Sequence, residues 1–299
     1  MGVQLIPITD QLFRVNGLNG GRFPSSHVFL VQDEVSALID AGCGIRTLRQ
    51  IRESHPVDLV INSHGHPDHS AGNWIFPGTP LHVPVQGAES HGRLVPLSHR
   101  LIGPGPLADW WREWIAREME FRDQAPTDFF DDGHLFDFGR LKLQAIHAPG
   151  HTSDHYCLFD PDRQILLSFD IDMTPFGPWY ANPESSVTEF RTSISRVREL
   201  KPRLLASSHW NILDDGIAEA LDAYEGVLDS RQETLLNLLE TGATREELIE
   251  AAPIYRRRTF EPVLLRCFEG RMIDHHLREM ASRDLLRQEG DRYVLAGAV

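Results

Sequence analysis

The sequence predicts a layered α/β fold followed by a smaller, mostly helical module. Three observations support this prediction. Short apolar runs separated by turn residues continue to about Ser208, patterns with helical spacing interrupt them, and the chain becomes almost continuously helical after Asp214. With 299 residues, 41% of them hydrophobic, the chain can build one large domain and a smaller partner. We therefore predict two domains, residues 1–213 and 214–299.

The apolar runs of the first domain have the length and flanking turn residues typical of strands. Predicted strands cover residues 28–31, 35–39, 59–62, 81–83, 141–146, 156–159, 165–167 and 204–206. Helical spacing predicts helices over 45–54 and 187–200, and Ser186 with Glu189 forms a capping-box pattern before the second. Residues 109–114 predict a further helix, whose three tryptophans are interpreted as core, with a pocket lid as the alternative.

The second domain has the pattern of three helices closed by a hairpin. Residues 217–241 form a helical pattern that stops at Gly242, and Thr244 with Glu247 forms a capping box that opens the next helix. A third helix is predicted over 262–282, followed by two short strands within 285–295. This order predicts a winged-helix-like module.

Composition and charge disfavour several classes of protein. A net charge of −14 repels a phosphate backbone, so nucleic acid is the less favoured partner and a small molecule the more favoured one. Three widely spaced cysteines do not form a disulfide framework. The sequence contains no run of eighteen apolar residues, and its N-terminus lacks a basic, apolar leader pattern, so we expect a soluble, cytoplasmic protein with no membrane partner.

The sequence His64-Gly65-His66-Pro67-Asp68-His69 is the strongest chemical signal in the chain. It follows the predicted strand 59–62, and the carboxyl ends of strands are where α/β sheets bind ligands. Imidazole and carboxylate ligands suit zinc, and also iron and manganese. His64 and His66 can reach one ion, which leaves Asp68 and His69 for a neighbouring ion.

Three further strand ends carry metal-compatible residues. His151 lies in a Pro-Gly-His-Thr turn, Asp170 ends the strand near 165–167, and His209 follows the strand near 204–206. Four strand ends that each offer such a ligand are a much stronger signal than one.

Together with the turn around Asp40, these motifs resemble the metallo-β-lactamase-fold hydrolase superfamily over roughly residues 12–213. The resemblance implies an αββα sandwich and two divalent metal ions, most readily Zn²⁺, with Fe or Mn as alternatives. It implies that three histidines hold the first ion, that three residues hold the second, and that Asp170 bridges them. The first set is His64, His66 and His151, and the second is Asp68, His69 and His209. His66 stands where the iron oxidoreductase branch has Glu, which favours hydrolysis.

The expected chemistry is attack by a metal-bridging hydroxide, with Asp68 as the catalytic residue that carries a proton to the leaving group. A role in supporting the ligands is favoured over substrate contact for Asp40, His147 and His155. Candidates for the pocket wall are Asp172, Phe176, Trp179, Tyr180, Trp210 and Asn211.

The C-terminal module resembles the winged-helix domain of the lactamase-beta-2-like branch, through Tyr224, Asp229, Arg231 and the His276-Leu277 pair. Residues 214–299 contain eighteen acidic residues and eleven arginines, which disfavours nucleic-acid binding. We expect the module to pack beside the active site, where it would shape the substrate entrance or a homodimer contact. The run Arg256-Arg257-Arg258 is interpreted as a solvated corner, with an anion site as the alternative.

We therefore expect a dinuclear metallo-hydrolase acting on a carboxylic ester-type bond, a thioester or lactone, of a small molecule. A phosphodiesterase or single-strand endoribonuclease is the alternative enzyme. A regulatory binding protein with a vestigial metal site is the alternative of another class.

Overall fold

The computed structural model describes residues 3–256 and 261–297. Over these residues the chain forms two β-sheets packed face to face with helices on both outer surfaces, and helices and a small sheet follow at the C-terminal end. The predicted α/β class and αββα layering are confirmed.

The first sheet has seven strands in sequence order, and β4 to β7 run parallel. Its strands are β1 (Leu5–Pro7), β2 (Leu12–Val15), β3 (Val28–Val31), β4 (Ala37–Ile39), β5 (Leu59–Ile61), β6 (Leu81–Pro84) and β7 (Asp128–Phe130). The second sheet has the order β12-β11-β10-β9-β8. Its strands are β8 (Leu135–Asp137), β9 (Lys142–His147), β10 (Tyr156–Asp160), β11 (Ile165–Phe169) and β12 (Leu204–Ser207).

The helices of the first domain lie outside the two sheets or build the rim of the site. They are α1 (Ile45–Ser54), α2 (Pro67–Ser70), α3 (Leu94–Leu101), α4 (Pro106–Glu118) and α5 (Val187–Glu199). The C-terminal part contains α6 (Ile217–Leu238), β13 (Ala243–Thr244), α7 (Arg245–Ala251), α8 (Pro262–Ser282), β14 (Leu286–Glu289) and β15 (Arg292–Leu295).

The period of two along each strand divides its side chains between the layers. In β10, Tyr156 and Leu158 face the core between the sheets, whereas Cys157 and Phe159 face the outer core against α5. Because both faces are covered, all five residues of β10 are buried.

The predicted helices and long apolar strands correspond to observed elements, whereas the short strands β1, β2, β7, β8 and β13 and the helices α2 and α3 were missed. Each of those strands has two to four residues, too few to show a clear alternation. Among the described residues no helix is long and apolar enough to cross a bilayer. Arg256 is exposed, whereas the rest of its predicted basic run lies outside the described residues.

The C-terminal helices share one hydrophobic cluster with the second sheet. Leu221 and Leu228 of α6 and Met272 of α8 belong to the same buried cluster as Phe190 and Ile194 of α5. The order of elements is the one expected of a winged helix, and that assignment and the domain boundary at 213 stay predictions.

Candidate metal centre

Strand direction brings the candidate ligands to one edge of the sandwich. In the first sheet β4 and β5 are parallel, so Asp40 and His64 follow strands that end side by side. In the second sheet β9, β11 and β12 run in the same direction, so the segments carrying His151, Asp170 and His209 leave at one edge. The sequence-predicted ligands, separated by up to 145 positions, therefore meet because of sheet topology.

Tight backbone contacts hold the loop of His64 to His69 in place. An added Cβ on Gly42 would lie 1.4 Å from the carbonyl oxygen of Asp68, so only glycine allows this approach. The Ser26 hydroxyl donates to the same oxygen at 2.6 Å, and Ala41 N donates to His69 O at 2.7 Å. The ligand loop is thus fixed against the turn after β4.

One group of four buried residues has the geometry of a single ion site. His66 Nδ1 lies 3.0 Å from His64 Nε2 and 2.9 Å from His151 Nε2, and Asp170 Oδ2 lies 3.2 Å from His151 Nε2. Ring nitrogens bound tetrahedrally at about 2.0–2.1 Å from zinc lie roughly 3.3 Å apart. This spacing is close to that required by one ion held by three imidazoles and a carboxylate.

A second group lies on the other side of Asp170. His209 Nε2 is 3.6 Å from Asp68 Oδ2 and 3.5 Å from Asp170 Oδ1, and His69 Nε2 is 3.0 Å from Asp170 Oδ1. The two oxygens of Asp170 face different groups, so its carboxylate lies between them.

The other ring nitrogens fix which nitrogen faces the site. His69 Nδ1 donates to Asp40 Oδ2 at 2.8 Å, His151 Nδ1 donates to the carbonyl of Trp179 at 2.8 Å, and His209 Nδ1 donates to the carbonyl of Gly21. In the neutral form of each ring, Nε2 is then left with a lone pair directed into the site.

These lone pairs are the observation that fits divalent metal ions. The facing nitrogens of His64, His66 and His151 cannot hydrogen-bond to one another, because in the neutral rings each has a lone pair and no hydrogen to donate. Among the described residues, His69 Nε2 and Asp170 Oδ1 are buried without a hydrogen-bond partner although they lie 3.0 Å apart. Cations placed between them would satisfy all these atoms.

The two groups differ in their protonation. Burial lowers the pKa of His66 and of His151 to about 4, so both are neutral at pH 7. Burial alone would also lower the pKa of His209, but the carboxylates of Asp170 and Asp68 raise it to about 9. The pKa of His69 is raised as well, because Asp170 and Asp40 outweigh its burial.

A buried ion pair supports the loop from behind. Arg100 of α3 forms two bonds to Asp154, at 2.9 and 2.7 Å, and Asp154 also accepts from Gly65 N at 3.1 Å. Burial would raise the pKa of Asp154, but the Arg100 guanidinium holds it well below its usual range. No sequence motif indicated this pair, because its members are 54 positions apart in different elements.

A cavity of about 530 Å³ opens over the two groups. Its floor carries five of the seven candidate ligands, and its walls are mainly apolar. The apolar wall residues include Leu101, Ile102, Trp111, Leu264, Leu265 and Phe268. The last three belong to α8, so the C-terminal part forms one side of the cavity.

The remaining sequence candidates divide between the wall and its support. The wall contains Asp172, Phe176, Trp179 and Trp210. Tyr180 is instead buried beside Arg231 and His276, and Asn211 is exposed.

The histidines proposed as supports lie behind the ligands. His155 accepts from Asp170 N at 3.2 Å, and His147 contacts the carbonyl of Ser153. Asn182, which no motif indicated, lies in the wall with its side-chain amide 2.9 Å from His66 Nε2.

Known proteins of one superfamily are similar to this chain in sequence. The sequence profile of the Metallo-beta-lactamase superfamily matches residues 20–209. Human acyl-coenzyme A thioesterase MBLAC2 is 30% identical over 201 residues, which cover 60% of this chain and 69% of that protein.

Solved structures show the same fold. A metallo-beta-lactamase family protein of Thermus thermophilus is similar with a TM-score of 0.72 and 19% identity, over 97% of this chain and 100% of that chain. A beta-lactamase domain protein of Burkholderia ambifaria is similar with a TM-score of 0.76 and 17% identity, over 98% and 94%.

Proposed function

Because this chain belongs to the metallo-β-lactamase superfamily and is a metallo-hydrolase, we propose that it hydrolyses the thioester bond of a small acyl thioester. The observation that carries the proposal is the cavity, in which candidate metal ligands form the floor and apolar side chains form the walls. A cavity of this size and lining suits a small molecule with an apolar group. The acyl-CoA thioesterase activity named for the relatives supports the same bond type.

The proposed ligand set divides around Asp170. His64, His66 and His151 hold one ion, Asp68, His69 and His209 hold the other, and the Asp170 carboxylate lies between them. Two divalent ions bound there, zinc by the chemistry of the donors, supply a nucleophilic water at neutral pH and polarise the thioester carbonyl.

The protein's own residues orient the substrate and move the proton. The acyl group lies along Leu101, Ile102, Trp111 and Leu264, which places the thioester carbon above the ligand floor. Asp68, which reaches the cavity, takes a proton on its carboxylate from the attacking water and passes it to the leaving sulfur. Thioester and water thereby become carboxylic acid and thiol.

The leaving thiol extends toward the side of the cavity that carries Arg22. This exposed arginine is the single Arg or Lys among the described residues that line the cavity. Its charge favours a thiol that carries an anionic group, such as a phosphate.

A substrate panel tests the proposal. We expect hydrolysis of acyl-CoA thioesters, with kcat/KM rising by about fourfold for each methylene that the wall buries, the equivalent of roughly 0.8 kcal/mol. Leu264→Ala should flatten this dependence on chain length. Val263→Ala, on the same helix but 70% exposed, is the matched control and should leave it unchanged.

The same preparation should be assayed with a lactone, bis(4-nitrophenyl) phosphate and single-stranded RNA. Turnover of only the phosphodiesters would refute the thioesterase proposal. Metal analysis should find about two equivalents in the wild type, and Asp170→Ala should lose both metal and activity. A metal-free wild-type protein that still binds a partner would instead favour the regulatory alternative.

A further inference from the structure

The loop of residues 172–186 connects the bridging carboxylate to helix α5 and contacts two candidate ligands. The carbonyl oxygen of Trp179 accepts from His151 Nδ1 at 2.8 Å. The Asn182 amide lies 2.9 Å from His66 Nε2. With His66 Nδ1 facing the site, Nε2 carries the proton, and a half-turn of the amide presents its oxygen as the acceptor. The loop thus orients two imidazoles of the first group.

The C-terminal helices supply the partners of this loop. Arg231 of α6 is buried, and its guanidinium donates to the carbonyls of Phe176, at 2.6 Å, and Pro178. It also donates to the Tyr180 hydroxyl at 3.1 Å, and that hydroxyl in turn donates to His276 Nε2 at 2.7 Å. Without these partners several polar groups of the loop would be buried and unpaired.

Helix α8 reaches the loop beside the ligand contact itself. His275 Nε2 donates to the backbone carbonyl of Asn182 at 2.9 Å, while His275 Nδ1 accepts from Arg278 at 2.8 Å. Burial, together with the charge of Arg278, lowers the pKa of His275 to about 4, so the ring stays neutral and keeps this tautomer. Tyr255, which lies between α7 and α8, makes a second contact, because its hydroxyl accepts from Trp179 Nε1 at 2.7 Å.

The second group of candidate ligands does not use this route. His69 is oriented by Asp40, in the turn after β4, and His209 by the carbonyl of Gly21. Both supports lie within residues 1–213. Tyr224 of α6 donates to the backbone carbonyl of Asp170, the ligand that both proposed ions share, at 3.1 Å. The contacts of Arg231 and His275 lead instead through the loop to His66 and His151, which belong to the first site.

We propose that α6 and α8 are a positioning element for the first metal site, with Arg231 and His275 as positioning residues that act through the loop on His66 and His151. The inference rests on the proposed ligand set and not on the proposed thioester substrate. It assigns the C-terminal part a role in metal binding in addition to its role as a cavity wall.

Zinc affinity measured separately at each site tests this inference on the full-length protein. A His209→Ala background reports the first site, and a His151→Ala background reports the second. His275→Ala should weaken zinc binding by about 10- to 100-fold in the first background, as loss of a ligand's supporting partner does, and should leave affinity in the second background unchanged. His275→Gln retains an N–H donor and should restore most of the affinity.

Asp274→Ala is the matched control. It removes the neighbouring residue of α8 and its ion pair with Arg245, 2.7 Å long at the surface, without touching the loop. Tyr255→Phe, which removes one hydroxyl and little volume, tests the same route if His275→Ala fails to fold. Site-selective loss in either variant, with wild-type circular dichroism, supports the inference.

Equal weakening at both sites, or an unchanged first-site affinity in folded His275→Ala and Tyr255→Phe, would overturn it. A wild-type protein that binds two zinc ions but hydrolyses no thioester contradicts the proposed function alone. The two failures are therefore distinguishable.

Discussion

Gly42→Ala is the most direct test of how the sandwich holds its ligand loop. The added Cβ would lie 1.4 Å from the Asp68 carbonyl oxygen and 2.4 Å from Ser26 Oγ. Neither the Gly42 backbone nor the Asp68 carbonyl can move freely. The Gly42 carbonyl accepts from Ser25 Oγ at 2.8 Å and from Ser26 N at 3.1 Å, and the Asp68 carbonyl is tied to Ser26.

The expected magnitude follows from this distance. Separations under 3.0 Å are essentially never seen for a Cβ, so the loop must shift by about 1.6 Å. Overpacking of this kind costs about 1–3 kcal/mol, and the strained Ser26 bond adds about 1 kcal/mol. A displacement of about 1 Å at a reacting centre can cost roughly 100-fold in rate, so kcat/KM should fall by at least that factor.

The assay measures bound metal, kcat/KM and the free energy of unfolding in one preparation. Gly226→Ala is the control, because this glycine lies inside α6 with nothing near its added Cβ. That substitution should stabilise the helix by up to about 1 kcal/mol without changing metal content. Wild-type metal content and kcat/KM in Gly42→Ala would refute the argument that this contact positions Asp68.

Two further predictions concern charge. Arg100→Met leaves the Asp154 carboxylate buried without its partner and should cost about 3–5 kcal/mol at pH 7, whereas the same change at Arg117, whose ion pair with Glu118 is exposed, should cost under about 1 kcal/mol. In the wild type the depressed pKa of Asp154 stabilises the fold above the ordinary value of 3.8, and this stabilisation is lost progressively as the pH falls below it. In the variant burial alone raises that pKa, so the loss in free energy of unfolding relative to the wild type should shrink on acidification. Equal losses in urea unfolding at pH 7 and pH 5 would contradict this. The raised pKa of His209, about 9 in the metal-free protein, means that metal must displace a proton, so zinc affinity should rise by up to about tenfold per pH unit above pH 7 and level off as the pH passes 9. Calorimetry in buffers of different ionisation enthalpy would detect that proton, and its absence would show that Asp170 does not raise the pKa of His209.

The fold and the family could be predicted from the sequence to a large extent, because their signals are local. Strands buried on both faces read as apolar runs, and capping residues marked the starts of α5 and α7. The candidate ligands follow strand ends in the sequence, so their residue types indicated a metal site before their positions in space were known. Their assignment to two ions stays a prediction for metal analysis to test.

The tertiary structure decided what depends on contacts between distant segments. The cavity exists because Leu101, Trp111 and Phe268 come together from three helices, and no local pattern encodes that meeting. Asn182, Arg100 and Asp154 were missed for the same reason, since their partners lie far along the chain.

The sequence by itself therefore determined the chemical class of this protein, since the ligand types and their spacing along the chain suffice to indicate a metal-dependent hydrolase. Only the tertiary structure decided the shape of the cavity above the candidate ligands and the partners that orient each imidazole. The physical reason is that a donor atom is a property of a residue, whereas a cavity and a hydrogen-bond route arise only when separate elements pack together.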